Sequence, residues 1–474
     1  MIPVRTKAAM LLFIVTYATL IAITQAETTP ALIRLNCVIK NRVCYLKNIY
    51  ASEDDNFKDV HGVEHSDIIE FFDCHIHTLP KIPYIKSVEA KGINLVRVVE
   101  KTFSTVKHLD VSYNRLRDIS AKAFDWPEEV QTLVINGNPL LKDLGFLKKL
   151  NGLQDLQMSD MKLDLDFIEV DVFAAMKVLK TLNMSNNKIM NIPVGIFNKL
   201  ESLEKLDLSN NYLSRVSSGA FIINFRTIDP EVETRHHLTI NLASNNISII
   251  EKESFMIVDK VDLSDNKLIG VSPMAFYNKS ELGTLVLSNN RQLKNYNFLN
   301  SIPSLHTLIM SHMNFTFDGI PLSVFKNLDF LTTLDLSHND ISQLPIGIFS
   351  DLSSLNFVNL RYNRISHVEF GTFSIRKYDL IDEIDLSYND INEINYLVFV
   401  PLKYLRTLLL HGNQIPYVNV SHLKRNKSLQ NFGIQHNPVS CSDLVDILAI
   451  FKLVLDGSEF VAHEANVSGI KCNP

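Results

Sequence analysis

Any chemistry in this chain would have to start from its histidines, clustered acids and cysteines. His75 and His77 stand two apart and His236-His237 are adjacent, spacings that could offer imidazole nitrogens to a metal. Neither pair has a third ligand in pattern, and no C-x-x-C or H-E-x-x-H occurs, so both read as solvated surface and no metal is expected. Acids crowd at Asp382-Glu383-Asp385. A strand turns alternate residues to opposite faces, so that run implies no convergent pocket. No G-x-S-x-G, Walker loop or dinucleotide fingerprint is present. The sequence does not read as an enzyme and predicts no cofactor.

Stepping outward, those residues sit on a repeat of the form L-x-x-L-x-L-x-x-N-x-L, clean at Leu331, Leu334, Leu336, Asn339, Ile341 and again at Leu355, Val358, Leu360, Asn363, Ile365. Sixteen copies run from Cys74 to Asn437 at mostly 21 to 26 residues, the leucine-rich repeat period. The alternating stretch predicts a short strand buried on one face, pairing in parallel with its neighbours. The ladder Asn carries donors and an acceptor for turn groups that no strand pairs. Cys74 holds that place once; Ile93, Met161 and Met313 cannot bond that way, so irregular turns are expected there. A second column, Phe103, Phe124, Phe197, Phe221, Phe255, Phe276, Phe349, Phe373 and Phe399, predicts a ring spine behind the strands. The fold class is an α/β solenoid: a leucine-rich repeat horseshoe with a parallel concave β-sheet about 70 Å long, a Phe-spined convex side and disulfide caps at both ends.

A longer period of 152 residues aligns Asp110 with Asp262, Lys142 with Lys294, Phe146 with Phe298, and the odd Met161 with Met313. It marks a duplicated block, residues 93–211 and 245–363. The extra residues at the junction, around Asp229-Pro230-Glu231, predict a protruding loop.

The chain has 474 residues, 46% hydrophobic and 21% charged, with a formal net charge of −6. That excludes disorder, and the acidic balance argues against nucleic acid as a partner. Arg5 and Lys7, the apolar run Ala8 to Ile23 and Thr24-Gln25-Ala26 read as a signal peptide. The expected organisation is a signal peptide at 1–26, an N-terminal cap at 27–67, repeats over 68–437 and a C-terminal cap at 438–474. No later stretch reads as a membrane span, so the mature chain is expected to be secreted into an oxidising compartment. There Cys37 and Cys44 would bridge the first cap. Cys441 and Cys472 would close the second around a helix carrying Leu444, Ile447, Leu448 and Phe451, leaving Cys74 as a buried free thiol. Seven N-x-S/T sequons are candidate glycosylation sites: Asn183, Asn246, Asn278, Asn314, Asn419, Asn426 and Asn466.

The concave positions are where a large partner would bind. Val286 and Ile309 present apolar groups beside His312. Farther along, Asp335, Asn359 and Asp385 lie near His338, Tyr362 and Tyr388. Tyrosines and buried charge are common interface anchors. The Ser column before them, Ser112, Ser264, Ser337 and Ser387, reads as turn residues and not as nucleophiles.

The Cys37 to Cys44 cap, the Phe-spined repeats and the ending Asn437-Pro438-Val439-Ser440-Cys441-Ser442-Asp443-Leu444 resemble the mosquito leucine-rich immune molecules, in a short type without a coiled coil. The resemblance implies action in haemolymph, recognition of pathogens and stabilisation of complement-like thioester proteins. That family's disulfide-linked dimers rely on a heptad coiled coil and a following Cys pair. Neither is seen here, so a partner chain would have to join in another way. The expected function is secreted innate-immune recognition of an extracellular protein or microbial surface ligand. The alternative is a cell-adhesion, matrix or Toll-like receptor-type signalling ectodomain.

Overall fold

The computed structural model describes residues 33–51, 57–63, 65–224, 237–276, 281–375, 380–456, 465–467 and 470–473. The signal segment, the Asp229-Pro230-Glu231 loop, His236 and the Asn278 sequon lie outside the described residues. The chain is a β-solenoid of about sixteen turns and divides into two compact units, residues 1–212 with 221–235 and residues 213–220 with 236–474.

In the first unit, strands Val43–Lys47, Ile68–Phe72, Ser87–Glu89, His108–Asp110, Thr132–Val134, Asp155–Gln157, Thr181–Asn183 and Lys205–Asp207 pair in parallel without a slip. The second unit repeats the arrangement from Thr239–Asn241 through Thr333–Asp335 to Asn431–Gly433 and Lys452–Leu453. The central side chain of each repeat strand is buried, and in most of them, such as those of Leu133 and Leu334, its two neighbours are half-exposed. Burying each such leucine stabilises the coil by about 1.5–3 kcal/mol. Behind the strands the Phe spine forms as expected: Phe197 and Phe221 stack at 6.2 Å, and Phe349, Phe373 and Phe399 at 5.6 and 6.1 Å; Phe173, outside the expected column, joins it 6.3 Å from Phe197.

The ladder asparagines do more than cap their own turns. The amide of Asn363 donates to its own coil at the Leu360 carbonyl, 3.0 Å, and to the preceding coil at the Leu336 carbonyl, 3.0 Å. Its Oδ1 accepts the Ile341 N–H of the preceding coil at 3.1 Å. Each asparagine is therefore a rivet between adjacent coils. Where a coil lacks one, the next coil compensates. Asn339 Oδ1 accepts both the Met313 and Phe315 N–H groups, at 2.8 and 3.0 Å. Asn187 does the same for Met161 and Leu163, and Asn114 for Ile93 and Leu95. The turns there are irregular, as expected. Two residues flank the odd position in the left-handed region, His312 with Asn314, Asp160 with Lys162 and Gly92 with Asn94, where an asparagine coil has one. Cys74 is buried and free; its Sγ bonds the Leu46 and Phe72 carbonyls, one on the preceding coil and one on its own.

The 152-residue period is written into local structure. Lys142 Nζ bonds the Lys162 carbonyl and Lys294 Nζ the Asn314 carbonyl. The 3-10 turns Gly145–Lys149 and Asn297–Ser301 bury Phe146 and Phe298 in the same way.

Both ends carry a disulfide, Cys37–Cys44 and Cys441–Cys472. At the first, hairpin Val38–Lys40/Val43–Lys47 turns through Asn41 and Arg42, both left-handed, as a two-residue hairpin loop requires. At the second, the Cys441–Leu448 helix starts at Ser440, whose side chain accepts the Asp443 N–H, and buries Leu444 and Ile447; Phe451 lies 5.9 Å from Phe432. Among the described residues no helix is long and apolar enough to cross a membrane.

Candidate functional site

The candidate site lies on the strand-lined face of the second unit, where two rows of side chains run across successive coils. The first row is set by strand register: Val286, Ile309, Asp335, Asn359 and Asp385 are consecutive partners. Val286 and Ile309 are half-buried neighbours. The polar members hold the turn that follows them. Asp335 accepts the Ser337 N–H at 2.8 Å, Asn359 the Arg361 N–H at 3.1 Å and Asp385 the Ser387 N–H at 2.8 Å. Asp110 and Asp262 cap Ser112 and Ser264 alike, so this contact is a property of the repeat. Asp385 is buried, and desolvation pushes its carboxyl above the usual carboxylate range.

The second row is set by the turn. The residue before each ladder asparagine is left-handed, which disfavours β-branched side chains; the positions carry His, Tyr, Asn, Asp, Ser or Gly. In the second unit four aromatic residues follow one another. His312 and His338 stack at 4.2 Å, His338 and Tyr362 at 4.4 Å, and Tyr362 and Tyr388 at 4.5 Å. The spacing is that of paired strands, so the backbone itself sets the rings in contact. Each contact contributes about 0.5–1.5 kcal/mol beyond burial. His312, His338 and Tyr362 remain exposed. Burial first, then the neighbouring His312, lowers the pKa of His338, so the His338 imidazole favours its neutral form. Beyond Tyr388 the row passes over Gly412 to His436, 6.4 Å away and tilted.

The structure therefore brings together His312, His338, Tyr362 and Tyr388 as one stack, with Asp335, Asn359 and Asp385 in the strand row beside it. It also adds residues absent from the sequence expectation. The Arg361 guanidinium lies 4.9 Å over Tyr362 and 4.5 Å over Tyr388, and its Nη2 meets Asp456 Oδ2 at 2.7 Å. Burial first, then the same carboxylate, pushes the Tyr388 phenol up to about 12. Burial works against the Asp456 charge, but Arg361 and Tyr388 outweigh it and hold the carboxyl below its ordinary range. His411 is buried, and desolvation pushes its imidazole down to about 4. A signal for this group stood in the Ser column, which reads Ser288, Ser311, Ser337, Ser387 but is interrupted by Arg361, His411 and Gln435.

The sequons fall unevenly. Asn314 and Asn466 are exposed, and Asn246 and Asn419 half-buried. Asn183 is part of the strand row, donating to Gln157 at 2.9 Å and accepting from Ser185. Asn426 corrects the expectation: it is buried, its amide donates to the Phe399 and Leu402 carbonyls at 2.8 and 2.9 Å, and a glycan on that nitrogen has no room in the folded coil. Among the described residues no group of three His, Cys, Asp or Glu is placed to hold a metal ion.

The family profiles described as leucine rich repeat match residues 177–222, 303–365 and 104–124. No curated protein sequence matches the chain. Solved structures share the fold at low identity. A chain of the Drosophila Toll–Spatzle complex is 17% identical with a TM-score of 0.60, over 87% of this chain and 59% of that one. A chain of the mosquito LRIM1/APL1C complex is 18% identical with a TM-score of 0.55, over 94% and 71%. A leucine-rich repeat protein of Leptospira interrogans is 18% identical with a TM-score of 0.55, over 83% and 91%. The chain has the leucine-rich repeat fold.

Proposed function

From this leucine-rich repeat scaffold we propose a secreted, extracellular binding protein of innate immunity that holds a protein or microbial surface ligand on the strand-lined face of its second unit. The observation that carries the reading is the stack from His312 to Tyr388, four aromatic side chains fixed in a row by left-handed turns, the first three of them exposed. Pre-positioned aromatic residues lose little conformational freedom when they bind, which is what an interface anchor needs. The likeness to chains of two immune complexes and the signal segment support the same reading. Val286 and Ile309 extend the surface on the apolar side, and Asp335, Asn359 and Asp385 supply acceptors beside it.

The test is a double substitution, His338→Ala with Tyr362→Ala, which removes the centre of the stack and leaves the turn-capping Asp335 and Asp385 in place. Capture of haemolymph proteins or of bacteria should fall at least tenfold, while the unfolding transition remains cooperative. Unchanged capture would remove this face from consideration.

A second reading, an adhesion, matrix or Toll-like receptor-type signalling ectodomain, is supported by the likeness to a chain of the Toll–Spatzle complex, which has the highest TM-score of the three compared. Induction in blood cells after infection supports the immune role; patterned embryonic expression supports the developmental one.

A further inference from the structure

Three of the breaks in the Ser column, Arg361, His411 and Gln435, gather around Asp456. Asp456 Oδ2 meets Arg361 Nη2 at 2.7 Å, and the Tyr388 ring lies under the same guanidinium at 4.5 Å, its phenol near enough to bear on the carboxylate. Its backbone N–H donates to Gln435 Oε1, and His411 lies close enough to feel its charge. His411 is 1% exposed, and its Nδ1 has no hydrogen-bond partner.

The holders belong to the repeat scaffold, whereas the carboxylate does not. Arg361 is fixed by stacking over Tyr362 and Tyr388 and by the turn bond of its N–H to Asn359. Tyr388 is fixed by the ring row. Asp456 comes three residues past Lys452–Leu453, the final strand of the parallel sheet. Arg361 and Asp456 are still 24% and 27% exposed, so solvent reaches the pair. A planar guanidinium held in place, with a phenol donor beside it, is built to receive a carboxylate.

We infer that Arg361 and Tyr388 form a carboxylate-recognition site for an acidic segment of a protein partner, and that Asp456 is its resident, exchangeable occupant. This rests on the binding role proposed for the face and names the chemistry of what binds there. An Asp or Glu in an extended peptide would enter beside the exposed Tyr362 edge and displace Asp456 from the guanidinium.

The test uses the full mature chain and two fluorescein-labelled peptides, deca-glutamate and deca-glutamine, followed by anisotropy at low salt. Asp456→Asn should bind deca-glutamate about tenfold or more tightly than the natural chain, because a tethered competitor acts at millimolar effective concentration. Adding Arg361→Gln should bring binding down to the deca-glutamine level. Arg361→Lys, which keeps the charge and loses the fork, should lose most of the tightening. Thermal unfolding confirms that each variant is folded. An Asp456→Asn chain no tighter than the natural one, or one whose binding survives Arg361→Gln, overturns the site. So does an Arg361→Lys variant that binds as well as Asp456→Asn alone, since charge without geometry would then suffice. Tightening without any haemolymph capture would support the site and count against the immune reading. Capture lost in the His338/Tyr362 double variant, with no tightening by Asp456→Asn, would overturn the site alone.

Discussion

Tyr388 occupies the space that a Cβ on Gly412 would need: an added methyl would lie 2.4 Å from Tyr388 Cδ1. Gly412 is also left-handed, at φ 61°. The ring row crosses this coil only because the side chain there is absent.

Gly412→Ala should therefore cost more than backbone strain. Gly319 is the control: it is left-handed at φ 73° with nothing within 4 Å of its would-be Cβ. Gly319→Ala should cost about 1–2 kcal/mol from the left-handed penalty alone. Gly412→Ala should cost about 1 kcal/mol or more beyond that, for displacing a packed ring. Denaturant midpoints of the two variants decide it; equal losses would mean that Tyr388 moves aside freely.

Asn339→Ala should destabilise more than Asn363→Ala. Both lose amide donations to three carbonyls, but the first strands the N–H groups of Met313 and Phe315, the second only that of Ile341. A buried N–H without a partner costs about 1–3 kcal/mol. A gap of that size between the two unfolding free energies is expected, and indistinguishable variants would contradict the compensation between coils.

His411 gives a pH dependence with a definite sign. Burial lowers its pKa from 6.5 to about 4 in the folded chain. Between those values the unfolded chain binds the extra proton, so the native state loses stability as pH falls from about 6.5 towards 4. The loss attributable to this group is at most on the order of 3 kcal/mol. Asp385, whose pKa is raised, acts in the opposite direction, so the comparison must be between the natural chain and His411→Gln. The variant should show a shallower acid slope in that window; an identical slope would rule His411 out as its source.

Peptide mapping of the secreted chain should find Asn426 unmodified and Asn314 modified. Asn426 uses its amide inside the coil, whereas Asn314 is exposed. A glycan on Asn426 at occupancy similar to that on Asn314 would require this coil to repack.

Much of the fold was legible because it is periodic. The leucines, asparagines and phenylalanines recur at fixed offsets, and each column has one physical job, so a single copy explains all the others. The ring row was legible as a set of residues, His312, His338, Tyr362 and Tyr388, but not as a stack, because contact depends on left-handed turns that the pattern does not state. The missing bonds of Met161 and Met313 were foreseen; their repair by Asn187 and Asn339 was not, since the donor and acceptor lie in different coils. Arg361 and Asp456 stand 95 positions apart. No periodicity links them, although the breaks in the Ser column marked one side of the pair.

The riveting of coil to coil also limits how such an array can be shortened or lengthened. The Met313 coil relies on its follower for two hydrogen bonds, and so does the Met161 coil. Either can be deleted with little harm, but neither can be transplanted or left at a new end without its asparagine-bearing successor. The heritable module here is an ordered pair of coils, and gene-level shuffling that splits the pair should yield chains that fail to close up.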